Sequence, residues 1–309
     1  YYPVQGGDMG SSLNENKGTD ADTVDMVQAF EAKGYSLNPT VQNMYLGMKE
    51  DFKSEAVLPW GVTTYYRATS PAIGGTFTSL EPSQEKLDKA EPTWKDSMND
   101  YNVMIVTIAR AAGENTNYTP GEEGVNPEQN LNQADPLGLS DTERATIDAA
   151  VKAKEQNGGK VIVLLNNASA MEIDELKNND GIDAMLEVGI PGGYGFYGVA
   201  DVLSGDANPS GHLADTYAVD NSASPAAQNY GDYEWTNADS DYSINSEIVE
   251  AESIYTGYKY YETRYADTVL GQGNASDSVG SSTGGAWTYD SEVSYPFGYG
   301  LSYTTFEQT

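Results

Sequence analysis

Two stretches carry the strongest hydrophobic signal. Asn102-Val103-Met104-Ile105-Val106-Thr107-Ile108 and Lys160–Asn166 are apolar runs rich in β-branched residues, the pattern of strands covered on both faces in a parallel sheet. Between them, Ser140-Asp141-Thr142-Glu143 places a cap residue three positions before a glutamate and predicts a helix running through Lys154. Upstream, Val24, Val27, Ala29 and Phe30 recur at helical spacing within Thr23–Gly34, and residues about 40–52 predict a second helix. Downstream, Ala170–Asn178 has helical character, Ile182–Val188 suits a strand and Gly192–Leu203 a helix, which the turn cluster Gly205–Gly211 ends. This alternation predicts an α/β fold: a doubly wound, mostly parallel sheet sandwiched by helices, with ligand-facing loops at the carboxyl ends of its strands.

The remaining segments, about 54–99, 115–139, 221–250 and 271–290, read as long surface loops. Pro59, Pro71 and Gly74-Gly75 punctuate the first, and Ser, Asn, Asp and Gly dominate the last two. Residues 1–309 are expected to form one α/β domain, and 39% hydrophobic residues suffice for its core. No apolar run approaches the roughly 18 residues of a membrane helix, so no membrane span is expected. The imbalance of 47 acidic against 16 basic residues, a net charge of -31, disfavours nucleic acid and anionic lipid as partners. With no cysteine and a single histidine, the chain has neither the ligands of a Cys/His zinc site nor a disulfide framework. Its 23 tyrosines suit half-buried packing as well as wet, sugar-contacting surfaces. The compartment, cytoplasmic or secreted, stays open.

Among the motifs, Gly193-Tyr194-Gly195-Phe196-Tyr197-Gly198 spells a dinucleotide fingerprint, with Asp215 at a suitable distance. Close backbone packing at a strand-to-helix turn asks for the same glycines. Asn157-Gly158-Gly159-Lys160-Val161 lacks the hydroxyl residue a phosphate loop places after its lysine. His212 lies in a turn cluster with no serine elbow to serve, and is read as a surface residue. Asp239, Asp241, Ser243, Asn245 and Glu247 alternate like calcium ligands without the glycine of an EF-hand loop, so no metal and no cofactor are assigned. Glu114, in Ala111-Ala112-Gly113-Glu114-Asn115, stands just beyond the strand Val103–Ile108, where open α/β sheets carry their working residues. Glycoside hydrolysis needs a carboxylic acid that protonates the departing oxygen. Most of the 47 acids are nevertheless solvated ones, and spacing does not reveal a partner for Glu114.

Several segments resemble glycoside hydrolase family 3. Gly6–Ser12 is similar to a glycine/serine loop of that family, and Ile105–Glu114 to the strand and Gly-Glu loop of its catalytic region. Val161–Asn167 with Ala168–Glu172 resembles its next strand and helix. The most specific matches are Pro191-Gly192-Gly193 through Ala200–Gly211, and the ending Tyr295-Pro296-Phe297-Gly298-Tyr299-Gly300-Leu301-Ser302-Tyr303-Thr304-Thr305-Phe306. The resemblance implies the family's C-terminal α/β sandwich domain, of β-glucosidase type, cut short at its N-terminus and lacking the (β/α)8 barrel. It implies further that Glu114 is the general acid/base of retaining hydrolysis, with the nucleophile on the barrel. The expected partners are therefore a β-glucoside or related oligosaccharide and that missing barrel, with self-association through the uncovered face. Asn115 and His212 depart from the glycine and the basic residue common at those places. The alternatives are a non-catalytic carbohydrate-binding or interaction module and a nucleotide-binding α/β protein.

Overall fold

A computed structural model describes residues 24–48, 53–58, 61–66, 81–110, 118, 135–231, 233–236, 246–305 and 307, with the backbone alone over 53–58 and 61–66. The chain divides into two compact units. The first comprises residues 1–169, 176–209 and 302–309, the second residues 170–175 and 210–301.

The first unit opens with α1 (Met26–Ala32), where Asp25 and Gln28 cap each other reciprocally, and α2 (Pro39–Gly47), capped by Asn38 and started by a proline. An antiparallel pair follows, β1 (Lys53–Leu58) with β2 (Gly61–Tyr66), then the short helices α3 (Gln84–Ala90) and α4 (Trp94–Ser97). Among its described residues, the 54–99 stretch, expected as connecting structure, thus contains both strands and helices. Proline and paired glycines punctuate this stretch, but the β-branched and aromatic content of Gly61–Tyr66 still suits a strand.

The centre of the unit is a parallel sheet in the order β3 (Val103–Arg110), β4 (Lys160–Asn167), β5 (Ala184–Glu187), with α5 (Asp141–Asn157) crossing from β3 to β4. At α6 (Asp174–Lys177) the chain passes between the two units, and α7 (Gly195–Ser204) follows β5. Alternate side chains of the strands point to opposite faces. Ile105, Ile162, Leu164 and Leu186 pack against Ala29 and Phe30 of α1 and Phe196, Val199 and Ala200 of α7. Val106, Ile108, Val161, Val163 and Leu165 are also buried, on the face over which α5 crosses. Each such burial is worth about 1.5–3 kcal/mol. Beyond α5, Met44, Tyr45, Leu87 and Trp94 build an outer cluster on Ala149. Helices on both faces of a parallel sheet are the predicted α/β sandwich.

Local chemistry sets the strand positions. Gly158 ends α5 in the left-handed region (φ +69°). At Gly159 a Cβ would lie 2.6 Å from the Asn102 carbonyl oxygen, so only glycine lets the chain pass as β4 begins. The Asn157 amide donates to the Tyr101 carbonyl (2.8 Å), and its oxygen accepts from Gly159 N (2.7 Å). The Asn157–Lys160 sequence is therefore a helix stop and a strand start. Asp183 receives Lys154 (2.8 Å), Lys160 (2.9 Å) and the Val161 amide (2.9 Å), which together hold its carboxyl far below the usual carboxylate range.

In the second unit β6 (Tyr217–Ala218) pairs antiparallel with β9 (Val293–Tyr295). Ala218, Tyr261, Trp287 and Val293 form the core, supplied by β6, α9 (Tyr258–Leu270), the chain two residues before α10 (Tyr289–Glu292), and β9. Within 221–250 lie a 3-10 turn at Asn221–Ala223, α8 (Pro225–Asn229), and β7 (Tyr233–Glu234) paired with β8 (Ser246–Glu247). In the Gly/Ser stretch after α9, Arg264 donates to the carbonyls of Ala275 (2.8 Å), Val279 (2.6 Å) and Asp277 (3.2 Å), and its guanidinium lies 4.7 Å from the Trp287 ring centre.

The two most specific sequence segments run beside each other. Within the first unit Asn208 accepts from Tyr303 N and donates to Ser302 Oγ, both at 2.8 Å, and Tyr303 Oη donates to the Val202 carbonyl (2.9 Å). Within the second, Leu213 and residues 298–299 exchange backbone bonds of 2.8 Å, and a Cβ on Gly300 would come within 2.4 Å of the Gly211 oxygen. The glycine of Tyr299-Gly300-Leu301 is thus a close-approach residue.

Candidate active site at the carboxyl edge of the sheet

The carboxyl ends of β3, β4 and β5 bear a row of polar groups directly after apolar runs. Arg110 ends β3 and is 1% exposed. Its Nη1 and Nη2 take the two oxygens of Glu143, at 2.6 and 3.0 Å, in a fork that matches the carboxylate plane. Nε donates to the Pro136 carbonyl (2.9 Å), Nη2 to that of Gly138 (2.7 Å) and Nη1 to that of Ala109 (2.9 Å). All five guanidinium donors are engaged.

Glu143 serves α5 at the same time. Its backbone amide donates to Ser140 Oγ (3.2 Å), and its Oε2 accepts from Ser140 N (2.9 Å), completing the capping box expected from the sequence. The helix start thereby acquires a carboxylate anchored by Arg110. One turn on, Thr146 donates to Glu81 (2.8 Å), as does Tyr45 (2.6 Å). Burial pushes the Glu81 carboxyl up from its ordinary value, with the nearby Glu143 charge adding to the rise.

At the end of β4, Asn166 donates its amide to the Gly189 carbonyl (2.6 Å). The Asn167 amide, with nitrogen turned toward Glu187, donates to both of that carboxylate's oxygens (3.1 and 2.9 Å). Glu187 also accepts from Gly189 N (2.7 Å), and Gly189 adopts φ +57° to close this turn. The edge therefore offers a rigid frame of amides and paired charges, a fit support for a group that must be held against a substrate.

Glu114, the catalytic residue expected from the sequence, lies outside the described residues, as do Asn115 and the Gly6–Ser12 loop. Arg110, which immediately precedes its segment, is described fully. His212 is exposed. In the glycine fingerprint, a Cβ on Gly195 would sit 2.6 Å from Pro191 Cβ, and Val24 N donates to the Gly193 carbonyl (2.8 Å), so local packing accounts for that turn; Gly198 has open space around it. Of the alternating acids 239–247, only Glu247 is described, and it is exposed. Arg110, Asn166 and Glu187 were not singled out from the sequence, and Glu143 only as an acid of the helix start. A polar residue closing an apolar strand run was the available signal, but Arg110 and Glu143 are separated by α5's cap and the whole 111–139 stretch.

A three-layer α/β unit with a polar, pre-formed carboxyl edge defines a class that binds or transforms a ligand at that edge. The glycosyl hydrolase family 3 C-terminal domain matches residues 15–303, and the chain belongs to that family. Relatives include the beta-glucosidase of Ruminococcus albus, 29% identical over 246 residues, covering 78% of this chain and 20% of its own. Beta-glucosidase A of Butyrivibrio fibrisolvens is 33% identical over 156 residues, 50% of this chain and 15% of its own. The exo-alpha-(1->6)-L-arabinopyranosidase of Bifidobacterium longum is 33% identical over 160 residues, 52% of this chain and 16% of its own. In fold, the chain is similar to beta-glucosidase 3B from Thermotoga neapolitana, solved in complex with glucose, with TM-score 0.61 and 24% identity over 99% of this chain and 33% of that one. It thus spans a fifth or less of these curated relatives and a third of that solved chain.

Proposed function

We propose that this chain is the part of a retaining β-glucosidase that supplies the general acid/base, Glu114, while a (β/α)8 barrel supplies the nucleophile and most of the sugar subsite. The observation that carries this reading is the family match over residues 15–303, taken with the place of Glu114 four residues after Arg110, where β3 ends. In the first step Glu114, protonated, donates to the glycosidic oxygen as the C1–O bond breaks and the nucleophilic carboxylate bonds to C1. In the second, ionised Glu114 takes a proton from water as that water displaces the carboxylate. The acid must enter with a raised pKa, which a partly desolvated cleft and the neighbouring anionic nucleophile would provide.

A glucoside is the first substrate to test, since two of the relatives above are named beta-glucosidases. The arabinopyranosidase relative shows why likeness alone does not choose the sugar. A carboxylate pair divided between two domains is inactive when one half is absent. The 309-residue chain by itself is therefore expected not to hydrolyse an aryl β-glucoside, whereas the longer polypeptide carrying both domains should, and should lose this activity on Glu114→Ala. Turnover by the chain alone would overturn the division of labour; full activity of the Glu114→Ala enzyme would overturn the role of Glu114.

A further inference from the structure

The outer helices of the first unit close over a carboxyl group. Glu81 stands two residues before Ser83, the cap of α3, and is 2% exposed. Its Oε1 accepts from Tyr45 Oη on α2 (2.6 Å) and from Thr146 Oγ1 on α5 (2.8 Å), and Thr146 in turn accepts from the Gln84 amide of α3 (3.2 Å). One oxygen thus gathers three helices. The other, Oε2, is buried with no hydrogen-bond partner. Cations on α4, β3 and α5 are paired with other carboxylates: Lys95 with Asp88 (2.8 Å), Arg110 with Glu143 (2.6 Å) and Arg144 with Asp141 (3.1 Å). No charged residue occurs on α2, and those of α3 are Glu85, Lys86, Asp88 and Lys89. Burial raises the Glu81 carboxyl above its ordinary value of 4.5; the chain's α-amino group and the bonds from Tyr45 and Thr146 oppose the rise, and Glu143, three residues before Thr146, adds to it.

We propose that Glu81 is a proton-operated clasp: in its neutral form it holds α2 against α5, and loss of its proton to water releases the outer layer of α2 and α3. A buried carboxylate with one bare oxygen is a costly group for a fold to hold. The neutral acid keeps Oε1 as acceptor for both hydroxyls and leaves only one O–H unpaired, a smaller cost. Once the proton is gone, the charge is relieved only when water reaches Oε2. The layer that yields is the lighter one. Helices α2 and α3 have nine and seven residues, whereas α5 has seventeen and packs on β3 and β4. Both short helices rest on α5 chiefly through the cluster of Met44, Tyr45, Leu87 and Trp94 on Ala149, which surrounds the same tyrosine that bonds Glu81. The fold therefore carries a layer that is fastened in acid and loosened in alkali.

The test compares the 309-residue chain with Glu81→Gln, whose amide copies the shape of the neutral acid. When the layer is open Glu81 gives up its proton near 4.5, and when it is closed the proton is retained, so the clasp is at full strength below that value and weakens as pH rises from it towards the folded-state value. Amide hydrogen exchange in α2, followed by mass spectrometry, is taken as the ratio of parent to variant rate at each pH, which removes the intrinsic pH dependence of exchange. This ratio should be flat below 4.5 and then climb by about tenfold per pH unit, reaching about tenfold or more by about pH 7. Infrared difference spectra, parent minus variant, should show the carbonyl band of a protonated carboxyl at about pH 6. A ratio that stays within about threefold from about pH 4 to about pH 7 would overturn the clasp. Absence of the band would overturn it as well, because Glu81 would then carry its charge inside the closed layer. If Glu81→Gln does not fold, the parent's α2 exchange divided by that of an unstructured peptide carries the same expectation, and protection that does not fall over this range overturns the proposal.

Discussion

Replacing one member of the Arg110–Glu143 pair should be far more costly than replacing both. With Glu143→Leu, Arg110 remains 1% exposed and loses the carboxylate that forks onto it, a situation that costs about 3–5 kcal/mol. Loss of the capping box at Ser140 adds about 1 kcal/mol. Arg110→Met takes the fork away from the buried Glu143 carboxylate and releases three carbonyls, giving about 3–5 kcal/mol again plus about 1 kcal/mol for each carbonyl that finds no water. The double variant leaves no stranded charge. It should therefore be destabilised by at most about 4 kcal/mol, the sum of the cap and the three under-bonded carbonyls, with a coupling of at least about 3 kcal/mol between the two sites. Since a domain is typically stable by about 5–15 kcal/mol, the single variants should unfold at much lower urea concentration. Equilibrium unfolding in urea followed by far-ultraviolet circular dichroism measures all four corners of the cycle. Additive single effects would refute the reasoning, because they would mean that neither charge depends on the other for its burial.

Three further outcomes follow from the fold. Asp183→Asn should cost about 1 kcal/mol at pH 7. The Asp183 carboxyl is depressed by Lys154, Lys160 and the Val161 amide, so its contribution is full above its ordinary value of 3.8 and fades as pH falls below it. Melting temperatures of parent and variant should accordingly converge on acidification from pH 5 towards pH 2. Gly300→Ala should destabilise by about 1–3 kcal/mol because its Cβ meets the Gly211 oxygen, whereas Gly198→Ala, inside α7 with nothing near, should gain about 0.5–1 kcal/mol; thermal melts of the two variants check both signs. Arg264→Gln should raise amide hydrogen exchange across 271–285 at least tenfold while sparing β3 and β4, since one side chain holds three carbonyls of that stretch.

The parallel centre of the fold was legible because its signals are local. Val103–Ile108 and Lys160–Asn166 are apolar over their whole length, Ser140 and Glu143 spell a capping box, and Gly158 and Gly205 stop their helices. The second unit was not legible as structure. Its core comes from Ala218, Tyr261, Trp287 and Val293, contributed by separate segments with no period to read, and three carbonyls of the Gly/Ser stretch after α9 are held by Arg264 from another element. In the same way Ala184–Glu187 is too short for its strand-end glutamate to stand out. At the candidate site the motif around Glu114 was readable from resemblance, and the capping role of Glu143 from spacing. The bond between Glu143 and Arg110 was not, because a guanidinium bonded to Pro136, Gly138 and Glu143 leaves no mark on the sequence between them.

The central claim is that Glu114 is the acid/base, and chemical rescue of Glu114→Ala in the longer polypeptide tests it most directly. On an aryl β-glucoside with an activated leaving group, the variant should form its glycosyl-enzyme but turn over slowly. Added azide, which attacks C1 without a base, should restore turnover and yield the β-glucosyl azide. Near-normal turnover without azide, or an impaired variant that azide leaves unchanged, would contradict the account.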